Sequence, residues 1–206
     1  MKELVEFTLR QQNLAERLFR MRFLNPLWLG VIYGVSELWL AVTRQSRRAF
    51  SRDRNSLLLL WIVIAVSVFL AVQMVWLAPG ATVGWPSAFY IIGFFVFLFG
   101  LALRWFSIGY LGRYFTVNVA VNPEQAVVDS GPYRHIRHPS YTGALLAFLG
   151  FGCCLGNWLS ILFLTMPIIA AFLWRIRIEE AALLEALGAD YTQYTQRTNR
   201  LVPWLY

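Results

Sequence analysis

Thirteen consecutive residues, Gly131-Pro-Tyr-Arg-His-Ile-Arg-His-Pro-Ser-Tyr-Thr-Gly143, hold more turn-formers, aromatics and cations than a connector between two helices needs. Gly131-Pro132 imposes a turn, and Pro139, which lacks a backbone donor, suits the first turn of a helix. Ring nitrogens and hydroxyls in such a turn at the start of a span can face a polar pocket. The same residues also suit a lipid interface, with Arg134 and Arg137 as anchors and Tyr133 and Tyr141 in an aromatic belt. A second cluster follows: Arg175-Ile-Arg-Ile-Glu-Glu180, then Gly188-Ala-Asp-Tyr191-Thr-Gln-Tyr194, then Arg200-Leu-Val-Pro203. Arg175 and Glu179 stand at i and i+4, the spacing of a surface pair worth roughly a few tenths of a kcal/mol. Glu180 falls on a neighbouring face, and acidic side chains beside an anionic leaflet point to a ligand. Metal chemistry is not expected: the two histidines, His135 and His138, have no Cys or third His beside them in the polar segments. No G-x-S-x-G, Walker or G-x-G-x-x-G pattern occurs, which disfavours a soluble-type nucleotide fold.

The elements that must position these clusters are apolar. Of 206 residues, 58% are hydrophobic and 14% charged, against about one-quarter charged in soluble domains. Residues 55–103 and 138–174 contain no Asp, Glu, Lys or Arg. A helix rises about 1.5 Å per residue and the hydrocarbon core is about 30 Å thick, so about 20 apolar residues make one span. That length predicts spans at 57–78 and 86–105, a tight helical hairpin at 141–155 and 158–174, and a fifth span at 27–42. Glu37 lies inside the fifth and, at a cost of about 2.5–3.5 kcal/mol, requires a partner or a wet cavity. Gly152 and Gly156 have the GxxxG spacing of close helix packing, and Cys153 and Cys154 are expected simply to pack. The fold expected is an all-α integral membrane protein of about five transmembrane helices, a single domain over 1–206. Its catalytic region comprises the 106–140 connector and the C-terminal helices. Residues 1–26 read as an interfacial amphipathic helix, with Leu4, Phe7, Leu14 and Leu18 on roughly one face.

The net charge of +7 does not indicate nucleic acid, because the arginines flank apolar segments rather than forming one basic face. Segments 44–56, 104–140 and 175–206 hold five, four and four basic residues, and loops 79–85 and 156–157 hold none. The positive-inside rule therefore puts the three basic segments, and any active site they form, on the cytoplasmic face of a bacterial inner or endoplasmic-reticulum-type membrane.

The two clusters, in this order and each beside an apolar segment, resemble the isoprenylcysteine carboxyl methyltransferase family, whose pattern runs GPY, RHPxYxG, then R, EE, G-x-x-Y and a terminal Pro. The resemblance covers roughly 86–206, and the broader group is similar to phospholipid N-methyltransferases. It implies S-adenosylmethionine bound in a membrane-embedded, non-Rossmann pocket on the cytosolic side, and methyl transfer to a lipophilic acceptor. It implies cofactor contacts at Tyr133, at His138, Pro139, Ser140 and Tyr141, and at Glu180, with Arg175 beside the acceptor. A family element, His-x-Leu-Val, lands on Gln125, Ala126, Val127 and Val128, where Gln replaces His and Val127 replaces Leu.

Transfer to a carboxylate needs no base, since that group is ionised at neutral pH. Arg175 would orient it bidentately, and Glu180 would hold the cofactor's amino or ribose groups. An amine acceptor would need a base, for which Glu180 is the nearest candidate. The competing class is a sterol-reductase-type membrane enzyme using NADPH, but basic residues for a 2′-phosphate are lacking beyond the anchoring arginines. A non-catalytic membrane scaffold would leave both clusters without a purpose.

Overall fold

The structure, a computed structural model, describes residues 25–44, 51–117 and 126–203. Among them are five α-helices: α1, Pro26–Thr43; α2, Ser51–Leu77; α3, Pro86–Leu111; α4, Pro139–Leu155; and α5, Trp158–Arg197. The described residues form no extended strand, only two isolated bridges. The N-terminal amphipathic segment lies outside the described residues apart from its last two positions.

Local sequence accounts for the helix ends. The Asn25 side chain accepts from Leu27 N at 3.0 Å ahead of Pro26, and Pro86 and Pro139 open α3 and α4; a proline there gives up a donor the helix would not have used. Asn157 caps α5 through Leu159 N and Ser160 N, and its amide donates to Ala78 O at 2.8 Å, tying the hairpin to the end of α2. Gly156, at φ +67, closes α4 in the left-handed region.

Four of the helices are long and apolar enough to cross a membrane, including Pro26–Thr43, which covers the expected fifth span at 27–42. The expected hairpin is present, although α4 has only 17 residues, about 25 Å of helix. Trp76, Trp85 and Trp158 are exposed around the uncharged loops at the other end, as an interfacial aromatic belt requires.

Close packing is made by a different set of glycines from the expected one. A Cβ on Gly93, Gly100 or Gly143 would stand 2.5–2.6 Å from backbone of the facing helix, and one on Gly150 would collide with Phe97 N. These four residues bring α3 and α4 into backbone contact. Of the predicted pair, Gly152 meets Ile161 of α5 at 3.2 Å, and Gly156 is the helix cap. The reason is directional: a residue in the left-handed turn that ends a helix no longer presents that helix's face to a neighbour.

Glu37 has its partner. Arg104 of α3 donates from Nε at 2.5 Å and Nη2 at 2.6 Å to the two carboxylate oxygens, and from Nη1 to Ser140 O at 3.2 Å. Both side chains are buried, so α1 presents Trp28, Val35 and Trp39 outward and Leu29, Tyr33, Glu37 and Leu40 inward.

Candidate functional site

The two sequence clusters meet in one open cavity, with about 880 Å³ between its walls when the space at its mouth is included. Three walls make it. The first is the 3₁₀ turn Gly131–Arg134 with the start of α4. Gly131 has φ +57, and a Cβ there would strike the Tyr110 ring at 2.5 Å, so any other residue would be strained and would have to displace that ring. Tyr133 is pinned by its hydroxyl to Ser107 O at 3.1 Å, and its burial raises the phenol's pKa, keeping it a donor. The second wall is the extended stretch Ala126, Val127 and Val128 together with Tyr114, Phe115 and Thr116. The third is one face of α5, where Arg175, Glu179, Leu183, Leu187 and Tyr191 follow one another four residues apart.

Arg175 is 2% exposed. It donates from Nη1 to Ser56 Oγ at 2.9 Å, from Nη2 to Val117 O at 2.6 Å, and from Nε to the Tyr141 hydroxyl at 3.2 Å. Tyr141 in turn donates to Glu179 Oε2 at 2.9 Å. The two members of the i, i+4 pair thus meet through a tyrosine of the RHPSYTG segment, a relay that ties α5 to α4 within the cavity. The Tyr141 ring lies 5.6 Å from that of His138 and 5.0 Å from that of Phe172, centroid to centroid.

Glu180, expected to hold a cofactor, is not in the cavity wall. Arg137 Nε and Arg200 Nε each donate to it at 2.8 Å, and His138 Nε2 lies 3.4 Å away. Its environment is the reverse side of the motif, where the chain past α5 runs alongside the turn: Arg137 N donates to Asn199 O at 2.8 Å and His138 N to Arg200 O at 3.0 Å. Arg137 Nη1 further reaches Thr195 O at 3.2 Å and Thr198 O. Burial by itself would raise the Glu180 pKa, but the hydrogen bonds from His138, Arg137 and Arg200 outweigh it and hold the carboxyl at about 2. The physical reason for this placement is helical: one residue turns the side chain by about 100°, away from the Arg175 face and into the clamp.

Of the other expected site residues, Ala126, Val127, Val128, Tyr133, His138, Ser140, Tyr141 and Arg175 line the cavity together. Pro139 is buried at the start of α4 and shapes the turn without reaching the wall. Gln125 lies outside the described residues. Glu179, Tyr191 and Tyr194 line the cavity without having been expected there; the four-residue period from Arg175 was the available signal for the first two. Among the described residues no group of His, Cys, Asp and Glu is arranged to hold a metal ion.

Residues 91–185 match the isoprenylcysteine carboxyl methyltransferase (ICMT) family. The protein-S-isoprenylcysteine O-methyltransferase of Schizosaccharomyces pombe is 35% identical over 82 residues, 40% of this chain and 35% of its own length. Protein-S-isoprenylcysteine O-methyltransferase A of Arabidopsis thaliana is 28% identical over 191 residues, 90% of this chain and 95% of that protein. The solved structure of a eukaryotic intramembrane Ras methyltransferase, isoprenylcysteine carboxyl methyltransferase, superposes with a TM-score of 0.58 at 28% identity, covering 70% of this chain and 52% of the other. The chain spans 35% to 61% of the length of the first four curated relatives it matches.

Proposed function

We propose that the chain is a methyltransferase of the kind its similarities indicate, methylating the carboxylate of a lipophilic acceptor, an isoprenylated cysteine, with S-adenosylmethionine. The observation that carries this reading is the joining of Arg175, Tyr141 and Glu179 in one cavity with the remainder of the RHPSY turn. When bound, S-adenosylmethionine supplies an electrophilic methyl group on a sulfonium.

The donor set suits that cofactor. It offers a carboxylate at Glu179, hydroxyls at Tyr133 and Ser140, and apolar walls at Leu183, Leu187 and Val127, a combination matched to a zwitterion joined to a nucleoside. Glu179, in place of Glu180, holds the positively charged or hydroxylic part by charge-assisted hydrogen bonds. Arg175 orients the acceptor carboxylate: its bonds to Ser56, Val117 and Tyr141 fix the guanidinium plane, and a fixed plane is what bidentate recognition requires. No residue has to remove a proton from an acceptor of this class. The enzyme's contribution is alignment and exclusion of water, which together lower the barrier by several kcal/mol. The cavity opens on the face bearing the basic segments, and we assign that face to the cytoplasm.

The test is incubation with methyl-labelled S-adenosylmethionine and N-acetyl-S-farnesylcysteine, followed by mass spectrometry. A base-labile methyl ester is expected, together with thermal stabilisation by S-adenosylhomocysteine and none by NADPH. Label appearing on phospholipid amines instead of a carboxylate would overturn the acceptor class. Stabilisation by NADPH alone would overturn methyl transfer.

A further inference from the structure

Five tyrosines line the cavity, and four have hydroxyl partners; the Tyr114 hydroxyl accepts from Arg113 Nη2 at 3.0 Å. Tyr133 donates to Ser107 O at 3.1 Å, Tyr141 to Glu179 Oε2 at 2.9 Å and Tyr194 to Tyr133 O at 2.7 Å. Tyr191 is 4% exposed, yet its hydroxyl has no hydrogen-bond partner among the described residues. An unpaired buried hydroxyl is costly, and phenylalanine would fill the same volume without that cost.

The backbone aims this side chain deliberately. Gly188, at φ +54 and ψ −122, breaks α5, and the last turns come back over the cavity, where Tyr194 bonds the Tyr133 carbonyl and Arg137 reaches Thr195 O. Tyr191 is carried on that returning segment. Burial, and then the nearby Glu180 and Glu179 carboxylates, raise its pKa, so the group is a donor in search of an acceptor.

We infer that Tyr191 is a cofactor-binding residue whose hydroxyl donates a hydrogen bond to an acceptor atom of the bound cofactor. The inference rests on the methyl-transfer reading above and deepens it. The cofactor is favoured over the lipophilic acceptor by position: Tyr191 lies well past Trp174, where the apolar run ends, and its ring is 5.9 Å, centroid to centroid, from that of Tyr194, which bonds the Tyr133 carbonyl of the turn. The lipid must instead arrive from the hydrocarbon side, where Arg175 stands.

Calorimetry of S-adenosylhomocysteine binding to the full chain in detergent, on wild type, Tyr191→Phe and Tyr194→Phe, tests this. Tyr191→Phe is expected to weaken binding about threefold to tenfold, with the Tm of ligand-free protein unchanged or higher and the KM for the acceptor unaltered. Tyr194→Phe, which loses a made hydrogen bond, is expected to lower the ligand-free Tm. If wild type binds and Tyr191→Phe binds as tightly, or if only the acceptor KM rises, the assignment is overturned while methyl transfer stands. If wild type fails to bind S-adenosylhomocysteine at all, the methyl-transfer reading falls and this assignment with it.

Discussion

Glu179 and Glu180 are chemically identical and adjacent, and their different surroundings give each a separate expected phenotype. Glu179 touches Tyr141 and faces the cavity. Glu179→Gln should therefore weaken S-adenosylhomocysteine binding about tenfold, or about 1.4 kcal/mol, with little change in Tm; calorimetry and a melting curve measure both. Glu180 is held by Arg137 and Arg200, so Glu180→Gln leaves two cations facing a neutral amide and should cost about 3 kcal/mol of stability. The sign with pH follows from the depressed pKa. Glu180 contributes its full stability above its ordinary value of 4.5 and loses that contribution as pH falls toward about 2. Wild-type Tm should thus drop through that window, and Glu180→Gln should drop less; equal slopes would mean the clamp does not form in solution. Arg175→Lys keeps the charge but loses the planar fork, so kcat/KM for the acceptor should fall while S-adenosylhomocysteine affinity holds, as kinetics and calorimetry on one preparation would show.

At the level of elements, the site depends on how closely α3 and α4 approach. Gly143 faces the backbone of Arg104, and Arg104 holds both Glu37 and the Ser140 carbonyl. Glycine packing therefore sets where the first turn of α4 sits relative to α1 and α3. A Gly150→Val variant has to displace the Phe97 backbone, which no side-chain rotation avoids, and should lose roughly 1–3 kcal/mol or more. Gly34 of α1, with nothing within 4 Å of an added Cβ, is the control: Gly34→Ala should melt at or above the wild-type temperature. Equal Tm values for the two variants would show that the α3–α4 contact is looser than described. At the other end of the site, the strand-like pairing of His135, Arg137 and His138 with Asn199 and Arg200 fastens the C-terminal segment to the motif.

For the molecule as a whole, charge and aromatic placement define two ends. The ends of α1 and α3 nearest the cavity carry Arg44 and Arg113, with Arg44 Nη1 donating to Gly112 O at 3.1 Å, while the opposite loops are uncharged and bordered by Trp76, Trp85 and Trp158. The basic end should face the cytoplasm. A single cysteine introduced at Thr82 should be labelled by a membrane-impermeant reagent from outside intact cells, and one at Arg113 only after permeabilisation. The reverse pattern would invert the molecule and move the cavity to the other face.

Much of this was legible from the chain alone because it depends on local chemistry. Charge-free runs locate the helices to within a few residues, except that α2, α3 and α5 continue past their apolar portions, since an interface ends hydrophobicity without ending a helix. The RHPSYTG turn, Tyr133 and Arg175 identify the region of the cavity because proline, glycine and clustered polar groups beside a span are few. Three matters depend on distant parts of the chain. The partner of Glu37 is 67 positions away at Arg104, a pairing that no periodicity within either helix specifies. The clamp that sets Glu180 apart from Glu179 is made by Arg137, His138 and Arg200, and Arg200 reaches Glu180 only because the chain past α5 folds back. The Tyr191 hydroxyl, unpartnered among the described residues, likewise takes its place only once the break at Gly188 returns that segment over the cavity. Helix periodicity tells which side a residue faces, but only the packed neighbours decide whether that side holds a counter-ion, a lipid or space for a ligand.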